Sequence, residues 1–183
     1  MPNIGFWATA GGAGGAAGAY ELISTSILGT TAASVTFTNG GTWAGYKHLQ
    51  IRATLKNSGS NTDTLMRINA DTGANYSSHY LMGYNSTMYS GSSVSATNML
   101  VGMASPSTET NMFGSMVLDL LDFAGTKNKT VRALTGSAGT ISLVSMRSGA
   151  WYSTAAVTSL TLLPSANLFA ANCRFSLYGI KGA

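Results

Sequence analysis

Apolar residues in this chain recur at every second position, not every third or fourth. In Tyr46 to Leu55, residues Leu49, Ile51, Ala53 and Leu55 fall on one face, and His48, Gln50, Arg52 and Thr54 on the other. That alternation predicts a strand with one buried side. The same period gives strands over 34–38, with Val35 and Phe37 inward, and over 64–69, with Met66 and Ile68 inward. Further strands are predicted at 130–134, 140–146, 157–163 and 173–180. Residues 111–123 are apolar on both faces, with Phe113, Val117 and Leu121 opposite Met112, Met116, Leu118 and Leu120. They predict a central strand covered on both sides. The breaks carry turn chemistry: Asn39-Gly40-Gly41, Asn57-Ser58-Gly59-Ser60, Asp71-Thr72-Gly73, Gly125-Thr126 and Ser148-Gly149. A long connection, 76–111, hides two short strands at 78–82 and 97–101. No helix is predicted. Eight or nine short strands at even spacing imply an antiparallel sandwich or barrel. Its expected core holds Phe37, Leu49, Ile51, Met66, Ile68, Phe113, Val117, Val131, Leu143, Leu160, Phe175 and Leu177.

The first twenty residues break this pattern. Ala10 to Ala19 contains only Gly and Ala, with Ile4, Phe6 and Trp7 ahead of it. Gly and Ala have no large side chain to anchor in a core, and Gly raises the entropy cost of ordering. Residues 1–20 therefore read as a flexible or extended arm, and 21–183 as the single domain expected at this length. Ile4, Phe6 and Trp7 can dock into a partner or pack onto the chain's own domain; docking on a neighbouring subunit is the expectation carried forward.

Only 9% of residues are charged, against about 25% in ordinary soluble domains. Serine and threonine are each about as frequent as the 22 glycines. The surface is covered by hydroxyls, amides and backbone, which suits a stable, extensively assembled protein. The net charge is +4, but the basic residues are scattered. The densest group, Lys127, Lys129 and Arg132, reads as a solvated turn, so no nucleic-acid partner is expected. No apolar stretch is long enough for a membrane helix, and no signal peptide is visible, so no membrane partner is expected.

Catalytic chemistry finds little support. Cys173 is the lone cysteine, and His48 and His79 are the two histidines. No disulfide, metal or other cofactor is expected. Asp119 and Asp122 are three apart, on opposite faces of a strand, and make a poor catalytic pair. Asp71 reads as a turn residue. Neither histidine has a serine at a nucleophile elbow, and the Gly-rich arm lacks the Lys-Ser or Lys-Thr of a phosphate loop. No enzyme is expected. The aromatic residues are the remaining candidates. Trp43 and Trp151 lie beside predicted loops, where they can plug the ends of a sandwich, serve a subunit interface or contact a glycan. Tyr76, His79, Tyr80 and Tyr84 form a candidate glycan-facing loop.

Several segments resemble their counterparts in a known group of proteins. They are Tyr46-Lys47-His48-Leu49-Gln50-Ile51-Arg52, Leu65-Met66-Arg67-Ile68-Asn69 with Asp71-Thr72-Gly73-Ala74-Asn75-Tyr76, Asp119-Leu120-Leu121-Asp122-Phe123 and Asn128-Lys129-Thr130-Val131-Arg132. The ending Phe175-Ser176-Leu177-Tyr178-Gly179-Ile180-Lys181-Gly182 is the most characteristic. Over residues 27–183 the chain resembles tailed-bacteriophage virion structural proteins with a jelly-roll-like β-sandwich domain, of head decoration or cement, head-fibre or tail-fibre type. The resemblance implies a jelly-roll-like fold and a place in the virion, assembled in the host cytoplasm. It implies the major capsid protein or other virion proteins as partners, and a homotrimer. The expected role is a capsid decoration or cement protein. The alternative is a receptor- or glycan-binding domain of a tail or head fibre that contacts a host surface glycan.

Overall fold

Residues 19–60, 62–139 and 142–182 are described by the structure, a computed structural model. Most of the expected arm, residues 1–18 with Ile4, Phe6 and Trp7, lies outside them. The described chain forms twelve strands and no helix. They are β1 (Tyr20–Ile27), β2 (Val35–Thr38), β3 (His48–Leu55), β4 (Thr62–Ile68), β5 (Tyr76–Tyr84) and β6 (Thr87–Ala96). The rest are β7 (Met99–Ala104), β8 (Gly114–Leu120), β9 (Lys129–Ser137), β10 (Leu143–Trp151), β11 (Ser159–Pro164) and β12 (Arg174–Ile180). All strand pairs are antiparallel.

Two sheets result. The large one has eight strands in the order β1-β12-β3-β8-β9-β10-β5-β6, and the small one has four in the order β2-β11-β4-β7. Setting aside the hairpins β5–β6 and β9–β10 leaves four strands per sheet, ordered β1-β12-β3-β8 and β2-β11-β4-β7. That is the order of a jelly roll, two Greek keys folded face to face. Both hairpins extend the same sheet, beyond β8, so one sheet becomes twice as wide as the other.

Alternation along β3 works as expected: Leu49, Ile51, Ala53 and Leu55 are buried between the sheets. They meet Met66, Ile68, Leu160 and Leu162 of the small sheet and Phe175 and Leu177 of β12 in one core. Strand β7 lies across the widened part. A Cβ on Gly149 of β10 would sit 2.5 Å from Met99 Cγ, so glycine permits this close crossing.

Strand β8 corrects one face assignment. Met116, Leu118 and Leu120 are buried, whereas Val117 is 39% exposed and faces outward. An apolar run on both faces did not mean cover on both faces. Phe113 precedes β8 and is half-buried, with Lys56 Nζ 5.6 Å from its ring centre. Strands β1 and β6 were not among the expected strands. The two strands expected within 76–111 correspond to β5, which is longer than expected, and β7, which begins two residues later, with β6 between them.

Unfolding in denaturant separates the two faces. Ile51→Ala should cost about 2–5 kcal/mol, as for a large-to-small change in a packed core. Val117→Ala should stay within about 0.5 kcal/mol, the range of a surface substitution.

Candidate functional site

The aromatic residues singled out from the sequence separate into three places. Trp43 follows the Asn39 turn, whose side-chain oxygen accepts from Gly41 N at 3.1 Å and Trp43 N at 3.3 Å. This turn tips the indole inward, where it is buried and meets Phe123 edge-on at 5.7 Å. Trp151 is also buried, and its Nε1 donates to Asp71 Oδ2 at 2.7 Å. Tyr76 is fully buried; its hydroxyl accepts from Ile68 N at 3.0 Å and contacts the carbonyl oxygens of Ile68 and Asp71. Trp43 and Trp151 thus follow the end-plugging reading, and Tyr76 is corrected from a glycan-facing loop residue to an interior one. For Trp151 and Tyr76 burial costs less because the polar atom of each ring finds a partner there.

Asp71 ties that end together. It accepts from Trp151 Nε1, from Asn75 Nδ2 at 2.9 Å and from Gly73 N at 2.8 Å. These bonds, the indole's first, hold its carboxyl below the ordinary carboxylate range. Lys129 plays a similar part at another turn. Its ammonium is buried and donates to the carbonyls of Gly125 at 2.8 Å and Lys127 at 2.6 Å. Burial lowers its pKa. The expected solvated turn thus contains one interior lysine that staples it.

Tyr80 and Tyr84 lie elsewhere, on the inner face of β5, where the large sheet overhangs the small one. Cross-strand register places Gly91 beside Tyr80, Tyr89 beside Met82 and Arg147 of β10 on the other side of Tyr80. Gly91 is open enough for the Tyr80 ring to lie over it; a Cβ there would come within 2.8 Å of that ring. Tyr84 and Tyr89 meet edge to face at 6.3 Å. Arg147 is buried, stands 5.3 Å from the Tyr80 ring centre and reaches Asp63 Oδ1 at 3.2 Å. Burial lowers the pKa of its guanidinium, and Asp63 opposes that shift; an arginine stays charged throughout. The result is a half-open aromatic ledge with one cation at its back. Tyr89 was not singled out from the sequence, because β6 shows no alternation that would place it.

His79 faces the opposite way, on the outer face of the large sheet, aligned with Ser148 and Ser92. The small sheet leaves that face uncovered. A single register row runs Arg52–Val117–Leu134–Met146–Leu81–Ser90 across β3, β8, β9, β10, β5 and β6. Its four central members are apolar and 39–61% exposed. Val144, 58% exposed, stands in the next row. Beside the stripe runs a polar chain. Arg132 Nη2 donates to Asp119 Oδ2 at 3.0 Å, Gln50 Nε2 to Asp119 Oδ1 at 2.7 Å, and Arg52 Nε to Gln50 Oε1 at 2.7 Å. Arg52 also stacks on Tyr178, 4.7 Å from its ring centre. A groove of about 450 Å3 opens between Val117, Asp119, Arg132, Leu134 and Met146.

Acidic and histidine chemistry does not converge. Asp119 belongs to the polar chain, whereas Asp122 pairs with Lys47 at 3.3 Å and its N–H donates to His48 Nδ1 at 3.0 Å. Among the described residues no three of His, Cys, Asp or Glu come together where they could hold a metal ion. Cys173 is buried, its thiol donating to Lys56 O at 3.3 Å, and burial pushes its pKa up. No helix of the described residues is long and apolar enough to cross a membrane. No protein-family model matches the chain, and a search of curated proteins finds none that matches it.

Asp71 sets a pH dependence. Its folded-state pKa is lowered, so its contribution to stability is present above the unfolded carboxylate value and is lost as pH falls through the folded one. Trp151→Phe removes the main donor and raises the folded-state pKa towards the ordinary value. Acid titration followed by near-ultraviolet circular dichroism should show unfolding beginning at a higher pH in the variant than in the wild type.

Proposed function

We propose that the chain is a non-enzymatic structural protein of a bacteriophage virion, a decoration or cement protein that binds the major capsid protein and stabilises the head shell. The observation that carries this reading is the outer face of the large sheet. An apolar centre of Val117, Leu134, Met146 and Leu81 flanked by a connected polar chain has the anatomy of a protein interface. Monomeric proteins seldom leave a broad apolar patch in water without a use for it. The low charge of the chain lowers the desolvation cost of laying this face against a shell. Ile4, Phe6 and Trp7, at the far end of the Gly/Ala stretch, supply a second point of attachment in this reading. Resemblance to tailed-phage virion proteins supplies the choice of partner.

Shells assembled from the major capsid protein of the same genome provide the test. Sedimentation with this chain should show stoichiometric binding. Leu134→Glu and Met146→Lys should weaken that binding while leaving the melting temperature of the free protein nearly unchanged. Location on tails alone, or no binding to shells, overturns the reading.

The aromatic ledge favours a second reading, a receptor- or glycan-binding domain of a fibre. Tyr80, Tyr84 and Tyr89 offer ring faces for sugars, with the part-exposed Asp63 as a polar partner. Screening against host surface glycans should then give saturable binding that Tyr89→Ala abolishes, and no saturable binding removes this reading.

A further inference from the structure

Strand β6 closes the large sheet and, among the described residues, has no neighbour on its far side. Proteins blunt such edges with short strands, charges or proline. β6 has ten residues, TMYSGSSVSA, with no charge and no proline, and nearly every position is exposed. Val94 at 76% and Met88 at 66% are the most exposed of the large apolar side chains on the described surface.

The direction of the free backbone groups follows from the hairpin. Tyr84 and Thr87 flank the two-residue turn Asn85-Ser86, with Asn85 at φ 50°. They form the first hydrogen-bonded pair of the ladder, and every second residue after Thr87 also points its N–H and C=O at β5. Met88, Ser90, Ser92 and Val94 therefore point theirs outward. Their side chains lie on the outer face, opposite Gly83, Leu81 and His79 for the first three. Val94 lines the same outer-face hollow as His79 and Ser148. A bulge at Ser95, φ 53°, follows it.

We propose that β6 pairs with β6 of a second copy of this chain, antiparallel, about a two-fold axis at Gly91. The axis at Gly91 places Met88 of one copy opposite Val94 of the other, twice, and Ser90 opposite Ser92. The two most exposed apolar side chains thus cover each other, and all four outward-pointing residues of each strand complete a ladder. Self-pairing brings no like charges together, because β6 has none. Gly91 lies at the centre, where the Tyr80 ring already fills the space above it. The pairing joins two large sheets edge to edge and leaves their outer faces and ledges open. It needs no particle, and it puts a two-fold where the family resemblance implies a three-fold.

Full-length protein in analytical ultracentrifugation should sediment as a dimer at micromolar concentration. Hydrogen exchange should show the amides of Met88, Ser90, Ser92 and Val94 protected in the dimer and lost on dilution. Ser92→Pro removes an N–H that the chain's own ladder does not use. It should weaken association about tenfold or more, since it deletes a ladder bond from both halves of the pair. Val94→Lys should act likewise, with neither variant lowering the melting temperature of the monomer by much. Residues directly opposite in such a pair have Cα atoms about 5.5 Å apart, within disulfide range. Oxidising an equal mixture of Ser90→Cys and Ser92→Cys chains should give a cross-linked heterodimer, and neither variant alone should cross-link efficiently; Cys173 is buried and does not compete. A monomer at all concentrations overturns the proposal. So does a dimer or trimer with exchanging β6 amides, or β6 protection that appears only with a different protein bound.

Discussion

Unequal width is the constraint on which the rest of this molecule depends. A jelly roll balances four strands against four, and each sheet covers the other's apolar face. Here two hairpins, β5–β6 and β9–β10, join the same sheet and leave four strands to face eight. The small sheet cannot cover what the large one presents. The candidate surfaces follow from this widening: the inner ledge where β5 and β6 overhang, the breadth of the outer face, and the edge of β6, unpaired among the described residues.

The overhang has to be held without a facing sheet, and the chain uses polar anchors to do so. Arg147 reaches from β10 to Asp63 on β4, joining the two sheets beside the ledge. Thr64 Oγ1, Thr135 Oγ1 and Arg147 Nη1 are buried there without a protein partner, so the interior at this end is polar, not a dry apolar core. Asp71, receiving the Trp151 indole, links the turn after β4 to the end of β10. Lys129 fixes the start of β9 through the carbonyls of its own turn. Arg147, Trp151 and Lys129 carry polar groups that would be costly to bury alone, and they are tolerated because Asp63, Asp71 and the turn carbonyls reach them.

On the outside the same widening creates order of another kind. One register carries Val117, Leu134, Met146 and Leu81 across four successive strands, so residues distant in the chain become a continuous apolar stripe. The polar chain from Arg132 to Arg52 runs parallel to it on neighbouring strands. A face of this composition is compatible with water, through its polar half, and with a partner, through the other. Face and edge are separate surfaces, so a lateral pair through β6 leaves the face open for attachment.

Local alternation determined much of this protein. The strands around Ile51, Met66, Leu160 and Phe175 were legible because period two survives wherever one face is buried and the other wet. The turns at Asn39 and Asp71 were legible because their residue types accept the backbone conformations required, whereas the break expected at Ser148-Gly149 lies within β10. Alternation could not say which face of 111–123 would be covered, since both are apolar; only the position of β8, with the small sheet on one side of it, put Met116 in and Val117 out. Nor could it reveal β6, whose serines and glycine lie beyond the core and so carry no inward period. Trp43, Trp151 and Tyr76 looked like residues in or beside loops because their neighbours are turn formers, and tertiary structure alone decided that they point inward, Trp43 from its turn and the other two from the ends of β10 and β5. The difference has one physical cause. Period and turn chemistry are properties of a few adjacent residues, whereas exposure depends on how many strands each sheet receives, and that is settled by pairings between distant parts of the chain.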